Sequence, residues 1–139
     1  MIVLDTNVVS ALMRSVPDAA VVAWLDRQPA DAIWITAITL FEARFGLALL
    51  PSDRRRRSLE AAFTRVIEED LEHRIVDFDA AAAAAAAVLA AQRHKAGRPG
   101  DLRDTQIAGI VIARGATLAT RNGRHFADLN VPVVDPWNG

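Results

Sequence analysis

Four polar side chains occupy positions where a carboxylate or an amide could do chemistry. Asp5 follows the aliphatic run Ile2–Leu4, and Asn122 follows a similar run later in the chain. Glu42 interrupts the apolar segment ITAITLFEARFG, and Asp104 precedes the apolar positions of QIAGIVIA. Oxygen ligands without cysteine or neighbouring histidine suit Mg²⁺ or Mn²⁺ and argue against zinc. Clustered carboxylates raise each other's pKa, so they are stable as anions chiefly beside a divalent cation.

Each of these residues also has a purely structural interpretation when it is considered alone. Asp5 suits a helix N-cap or a turn, because short polar side chains satisfy free backbone N–H groups. Glu42 can close a capping box that begins at Thr39, or pair with an arginine such as the nearby Arg44. Asp104 gains from the dipole of the helix that it begins. Asn122 belongs to an Asn-Gly turn signal. The metal-site prediction therefore depends on whether the four positions converge.

Short aliphatic runs alternate with segments of helical periodicity, and this alternation predicts an α/β fold. The predicted strands are Ile2–Leu4, Ile33–Ile35, Ile75–Val76, Thr117–Thr120 and Val133–Val134. The predicted helices are about Asn7–Arg14 (capped by Thr6 or Asn7), Asp18–Arg27, Thr36–Leu50, Ser52–Asp70, an alanine-rich helix capped by Asp79 that contains Ala80–Ala87, and Asp101–Arg114 capped by Asp101. We predict a central parallel sheet of four to five strands with helices on both faces, forming one domain over residues 1–139.

This architecture predicts that the polar positions meet. Ligands of open α/β sheets bind outside the carboxyl ends of the strands. Asp5 directly follows a strand end and Asn122 lies two residues after another, whereas Glu42 and Asp104 lie near the beginnings of helices. Thr6 and Thr120 add hydroxyl groups at the same edge of the sheet. The coincidence of these positions favours the metal site over four separate structural roles.

The composition limits the other function classes. The chain has 139 residues, a formal net charge of −1 and no cysteine, which excludes disulfides, thiolate metal sites and a cysteine nucleophile. Global charge gives no evidence of nucleic-acid binding, so phosphate contacts must come from local arginines such as Arg103, Arg121 and Arg124. The run Arg54–Arg57 is typical of a solvated helix face, and His125 of a surface residue. No signal segment and no stretch of about 20 apolar residues occurs, which favours a cytoplasmic protein.

Several segments together resemble a known family. MIVLDTNVVS, ITAITLFEARFGLALL, DLRDTQIAGIVIARGATLATRN and RHFADLNVPVVDPW are similar to PIN-domain toxins of the VapBC type, particularly the FitB-like branch. The four motifs follow the family's order and cover essentially the whole chain. The resemblance implies a PIN-like fold and a metal-dependent endoribonuclease that hydrolyses RNA phosphodiester bonds as the toxin of a toxin–antitoxin module.

The resemblance also implies roles for the polar residues. Asp5, Glu42 and Asp104 match the family's first three acidic positions, and Asn122 stands where many members have a fourth aspartate. Asp5 and Asp104 are the expected Mg²⁺ ligands, with Mn²⁺ as the alternative ion. Glu42 is either a further ligand or the residue that positions the attacking water. Three carboxylates balance one divalent ion better than two, so we expect one firmly bound ion in the free protein.

Partners follow from the same resemblance. It implies a homodimer and a cognate antitoxin whose tail covers the acidic pocket, with operator DNA bound only through that antitoxin. Asn122 keeps open an alternative, a catalytically inactive PIN-like module that binds an antitoxin and takes part in transcriptional autoregulation. A phosphatase of doubly wound type is disfavoured, because Asn7 stands where a second acid is expected and Lys95 is the only lysine.

Overall fold

A computed structural model describes residues Met1–Gly139 and contains five strands and six α-helices. The strands are β1 (Ile2–Leu4), β2 (Ile33–Thr36), β3 (Ile75–Val76), β4 (Thr117–Ala119) and β5 (Val133–Val134). The helices are α1 (Thr6–Leu12), α2 (Ala19–Asp26), α3 (Ala37–Leu49), α4 (Arg54–Arg65), α5 (Ala80–Lys95) and α6 (Leu102–Arg114). All five predicted strands are present at or within one residue of the predicted bounds.

The five strands form one parallel sheet in the order β3-β2-β1-β4-β5. The central strand β1 pairs Ile2 with Ile33 of β2 on one side and with Thr117 of β4 on the other. The chain runs outward from β1 to β3 and then crosses to β4 and β5. The order therefore reverses between β1 and β4, and binding crevices of such sheets lie outside the strand ends at this point.

Helices cover both faces of the sheet, as predicted. Successive strand residues point to opposite faces, so Leu4 packs with Phe63 and other residues of the α1–α4 side. Val3 instead packs with Leu89 and Ile107 on the α5–α6 side. An apolar core therefore lies on each face of the sheet, and both hold the central strand in place.

The alanine-rich helix α5 packs closely on α6 and is not a linker. Its buried residues Ala82 and Ala86 face Gly109 of α6. A Cβ atom at Gly109 would lie 2.6 Å from both the Ala82 carbonyl oxygen and the Ala86 Cβ. The small side chains on both helices therefore allow a short interhelical distance, which fixes α6 against the sheet.

The predicted start of α3 at Thr36 is confirmed, whereas the alternative start at Thr39 and the single helix predicted over Ser52–Asp70 are wrong. The Thr36 side chain caps α3 by accepting a hydrogen bond from the Thr39 backbone N–H at 3.0 Å, so the capping box proposed at Thr39 does not begin the helix. The single helix predicted over Ser52–Asp70 is α4, capped by Asp53, followed by a π-helical turn over Val66–Asp70.

None of the six helices is both long enough and apolar enough to cross a bilayer.

Candidate active site

Asp5 lies at the carboxyl end of the central strand, where its backbone N–H donates to the Ala119 carbonyl oxygen of β4 at 2.9 Å. Its side chain is 4% exposed and caps α1 by accepting a hydrogen bond from the Thr6 backbone N–H at 2.9 Å. The prediction that Thr6 or Asn7 caps this helix is therefore wrong. Burial raises the pKa of Asp5, while hydrogen bonds from Thr120 and Thr6 act in the opposite direction. The Asp5 carboxylate therefore both caps α1 and lies in the candidate site.

Thr120 and Asn7 connect the ends of β1 and β4. The Thr120 hydroxyl donates to Asp5 Oδ2 at 2.8 Å and accepts from the Asn122 backbone N–H at 3.1 Å. Asn7 Nδ2 lies 3.3 Å from the Thr120 hydroxyl and 3.4 Å from Asp5 Oδ2, and Asn7 Oδ1 accepts from the Arg121 backbone N–H. Sequence reasoning missed this role of Asn7. Its position two residues after Asp5 was the available signal.

Glu42 is brought to the same edge by α3. Its Oε1 atom accepts a hydrogen bond from the Thr6 hydroxyl at 2.9 Å, and the Thr6 and Thr39 hydroxyl oxygens are 3.0 Å apart. Its Oε2 atom lies 3.8 Å from Nη1 of Arg103, so Arg103 is its arginine neighbour and Arg44 is not. The carboxylate of Glu42 is thus held by the residue that directly follows Asp5.

Asp104 lies in the first turn of α6. Asp101 caps this helix, as predicted, by accepting from the backbone N–H groups of Arg103 and Asp104 at 2.9 and 3.1 Å. Burial, followed by the negative charges of Asp5, Asp101 and Glu42, raises the pKa of Asp104 to about 6. The three predicted acids therefore lie near enough to repel one another.

The fit of this site to a divalent cation rests on the chemistry of its donors. Asp5, Glu42 and Asp104 supply hard oxygen atoms, and a cation would relieve the repulsion and burial that raise the pKa of Asp104. No three acidic or histidine side chains, however, stand in positions that could already hold a metal ion together. The Thr6 hydroxyl holds Glu42 and the Thr120 hydroxyl holds Asp5. The donor set fits the ion, and joint coordination requires these side chains to rotate.

The fourth predicted position joins the site only through its backbone. Asn122 is exposed, and its backbone N–H donates to Thr120, but its side-chain amide makes no hydrogen bond within the chain. The structure therefore brings together Asp5, Glu42 and Asp104 and leaves the Asn122 side chain outside their hydrogen-bond network.

The arginines near the site differ in their surroundings. The Arg103 guanidinium lies over two exposed aromatic rings at 5.3 and 5.5 Å, and that of Arg121 lies over Trp137 at 4.7 Å. Arg124 and the half-exposed His125 line a cavity beside Asp104, and His125 Nδ1 is 3.8 Å from Asp104 Oδ2. Of the three arginines predicted to contact phosphate, only Arg124 faces this cavity.

A buried arginine beside the site was missed by sequence reasoning. Arg93 of α5 is 6% exposed and donates to both carboxylate oxygens of Asp128 at 2.8 Å. It also donates to the Thr105 hydroxyl at 3.1 Å and to the His125 carbonyl oxygen at 3.0 Å. The signal was the helical periodicity of α5, because Arg93 lies four residues after the buried Leu89 and on the same face.

Comparisons with known proteins identify the family of this chain. The family model described as PIN domain matches residues 2–131. VapC ribonuclease Y4jK of Sinorhizobium fredii is 37% identical over 137 residues, covering 99% of this chain and 98% of that protein. Toxin FitB of Neisseria gonorrhoeae is 34% identical over 138 residues and covers 99% of both chains. A solved structure of FitAB bound to a DNA fragment aligns with a TM-score of 0.87 and 34% identity, covering 99% of this chain and 96% of that chain. The chain therefore belongs to the PIN-domain family, in the branch that includes VapC and FitB.

Proposed function

We propose that this chain is a metal-dependent endoribonuclease that hydrolyses RNA phosphodiester bonds as the toxin of a toxin–antitoxin module. The observation that carries the proposal is the gathering of three acids at the carboxyl edge of the sheet, where Thr6 contacts both Asp5 and Glu42, and where burial and then the neighbouring carboxylates raise the pKa of Asp104. The relative named VapC ribonuclease supports the same reaction class. A nuclease of this type acts on RNA in the cytoplasm, which is where we place the protein.

The proposed cofactor is Mg²⁺, with Mn²⁺ as the alternative ion. Asp5 and Asp104 are its proposed ligands, and Glu42 either completes the set or positions the attacking water. When bound, such a cation activates water for attack on a phosphodiester and stabilises negative charge on the phosphate oxygens. Thr120 and Thr6 hold the carboxylates of Asp5 and Glu42 at this edge in the free chain, and joint coordination of the ion would require these carboxylates to rotate.

We expect one firmly bound ion in the absence of RNA. The three carboxylates balance the charge of one divalent cation with one negative charge left over, whereas two ions would leave positive charge buried at the site. Asn122 supplies no charge to a second ion. Calorimetric titration of the free protein with Mg²⁺ measures the number of sites. Two tight sites without RNA would contradict this expectation.

The proposed protein partner is a cognate antitoxin. An exposed apolar stripe follows α3 through Phe41, Phe45 and Leu49, and Leu102 of α6 is also exposed. The two phenylalanine rings stack with their centroids 5.9 Å apart, beside the acidic site. A FitB relative occurs in a complex named FitAB on DNA, so we assign this stripe to the antitoxin and operator DNA binding to the antitoxin alone. A homodimer stays a prediction that sedimentation analysis can check.

The nuclease proposal is tested by cleavage of structured and single-stranded RNAs with Mg²⁺, with Mn²⁺ or with chelator. Asp5→Asn and Asp104→Asn keep side-chain size and remove charge, and each should reduce cleavage by roughly 100-fold or more. Asp31→Asn is the matched control, because Asp31 is exposed on the turn before β2 and makes no ion pair. Thermal unfolding of each variant checks that it is folded.

The outcomes separate the two proposed functions. Metal-dependent cleavage that disappears in both site variants and persists in Asp31→Asn supports the nuclease. A folded wild-type protein that binds no divalent metal and cuts no RNA would instead support the inactive module that binds an antitoxin.

A further inference from the structure

Both carboxylate oxygens of Glu42 are already engaged in the free chain. Oε1 accepts a hydrogen bond from the Thr6 hydroxyl at 2.9 Å, and Oε2 lies 3.8 Å from Nη1 of Arg103. The fully buried Thr39 hydroxyl lies 3.0 Å from the Thr6 hydroxyl, and because Thr6 gives its single hydroxyl hydrogen to Glu42, Thr39 is the donor to Thr6. A cation that draws Glu42 toward the other two acids of the site must therefore pull the carboxylate away from these partners.

Arg103 is held beside Glu42 by two aromatic rings on the same helix as the carboxylate. Phe41 and Phe45 lie one residue before and three residues after Glu42 on α3, and their rings stack at an interplanar angle of 4°. The Arg103 guanidinium lies over both rings, 5.3 and 5.5 Å from their centroids. Planar guanidinium groups stack well on aromatic faces. The rings therefore add a second contact that keeps this guanidinium beside Glu42.

The charge of Arg103 faces Glu42, although Asp104 is its neighbour in sequence. The positive charge that lowers the pKa of Asp104 is that of His125, whose Nδ1 atom is 3.8 Å from Asp104 Oδ2. Each of these two carboxylates thus has its own basic neighbour. A guanidinium and a divalent cation both neutralise carboxylates and repel each other at short range, so Arg103 and a bound cation compete for Glu42.

We propose that Arg103 is an internal counter-ion of Glu42 that a divalent cation must displace, so that this arginine lowers the affinity of the free site for metal. The inference rests on the proposed metal-dependent function and adds a positioning residue that acts through Glu42. Displacement is feasible because 41% of the Arg103 side chain is exposed, and water replaces the carboxylate around an exposed guanidinium at little cost.

Calorimetric titration of the free protein with Mg²⁺ tests the proposal without RNA. Arg103→Gln should tighten Mg²⁺ binding about 3- to 10-fold, because a positive charge and a competitor for Glu42 are both removed. Arg103→Met, which keeps an aliphatic side chain against the two rings, should tighten binding to the same extent. Arg121→Gln is the matched control, because Arg121 also lies over an aromatic ring but forms no ion pair. It should change Kd by less than about twofold, because its exposed charge is screened.

A double variant separates an effect through Glu42 from a direct effect on the cation. Glu42→Gln should weaken Mg²⁺ binding, and in that background Arg103→Gln should change Kd no more than Arg121→Gln does, because no carboxylate is left to compete for. Full tightening in the double variant would show that Arg103 repels the cation through space, which overturns its role as a counter-ion of Glu42. An unchanged Kd in Glu42→Gln alone would overturn that role too. Unfolding temperatures close to that of wild type show that the variants are folded.

The possible results distinguish this inference from the proposed function. Equal or weaker Mg²⁺ binding in both Arg103 variants overturns the counter-ion role, and metal-dependent RNA cleavage by the wild type then leaves the nuclease intact. Tighter binding in both variants that disappears in the Glu42→Gln background supports the counter-ion, and a wild-type protein that then cuts no RNA counts against the nuclease alone. Absence of Mg²⁺ binding in the wild type and in every variant overturns both.

Discussion

Thr120 donates a side-chain hydrogen bond to Asp5, the most buried acid of the site. Its hydroxyl donates to Asp5 at 2.8 Å and is also approached by Asn7 Nδ2 and by the Asn122 backbone N–H. A buried carboxylate that loses a donor retains its desolvation cost without the compensating hydrogen bond. One hydroxyl therefore orients Asp5 and attaches the turn after β4 to the central strand.

Replacing this hydroxyl should lower stability more than its size suggests. We expect Thr120→Val to reduce the free energy of unfolding by about 1–3 kcal/mol, because the shape is kept and a donor to a buried carboxylate is lost. Urea denaturation without metal measures the change. Thr117→Val, in the preceding strand β4 and without a side-chain hydrogen bond, is the control. Equal losses in both variants would show that the Asp5 contact contributes nothing.

The acids of the site are visible in the sequence, but their partners are not. Asp5 and Glu42 could be singled out because carboxylates seldom interrupt apolar segments without a reason. The Asn7 amide meets the Thr120 hydroxyl across 113 positions of sequence, and Arg93 meets Asp128 across 35. Only the strand order brings such pairs together, so no local pattern could have predicted them.

At the scale of elements, the contact between α5 and α6 determines where Asp104 lies. Gly109 faces Ala82 and Ala86 without room for a side chain. Glycine normally weakens a helix by about 1 kcal/mol relative to alanine. At Gly109 that cost is offset by close packing between the two helices. This packing fixes the position of α6 along the sheet and so places Asp104 close to Asp5.

Two glycine-to-alanine substitutions should therefore have opposite signs. Gly109→Ala should destabilise the protein by about 1–3 kcal/mol, because its methyl group would overlap α5. Gly46→Ala in α3 should stabilise it by about 0.5–1 kcal/mol, because nothing lies within 4 Å of the added atom. Urea midpoints measure both changes. A stabilising effect at Gly109 would mean that the helices can separate without loss.

The elements themselves were predictable, whereas some of their ends were not. Aliphatic runs bounded by polar residues predicted all five strands, and apolar periodicity predicted the helices. The π-helical turn after α4 was missed because the Leu71 backbone N–H donates to the Val66 carbonyl oxygen, five residues back, while both side chains are buried. The requirement to bury both side chains overrides regular helical spacing, and this requirement comes from the assembled core.

At the scale of the whole molecule, Arg93 joins segments that the sheet alone does not connect. Its guanidinium contacts α6 through Thr105 and the region after β4 through His125 and Asp128. All five strands belong to one sheet, and we propose that residues 1–139 unfold as one domain. The hydrogen bonds from Arg93 hold the pKa of Asp128 below its usual value.

The free energy of unfolding should depend on pH through the Arg93–Asp128 ion pair. A carboxylate with a lowered pKa stabilises the fold while it is ionised, so its contribution is present above about pH 5 and is lost as pH falls below about 4. Asp128→Asn should therefore be less stable than wild type at neutral pH, and the difference should shrink toward about pH 3. Urea midpoints at several pH values measure this trend, with Asp31→Asn as the control. A difference that stays constant down to low pH would contradict it.

The central position of β1 has a consequence for how the protein is made. Asp5 is synthesised before its neighbour at the end of β4, Ala119, and its hydrogen-bond donor, Thr120, which both follow more than a hundred residues later. A growing chain lacks β4 and cannot yet assemble the acidic centre, because the pairing between β1 and β4 is long-range. Nascent chains should thus carry no activity until β4 has left the ribosome.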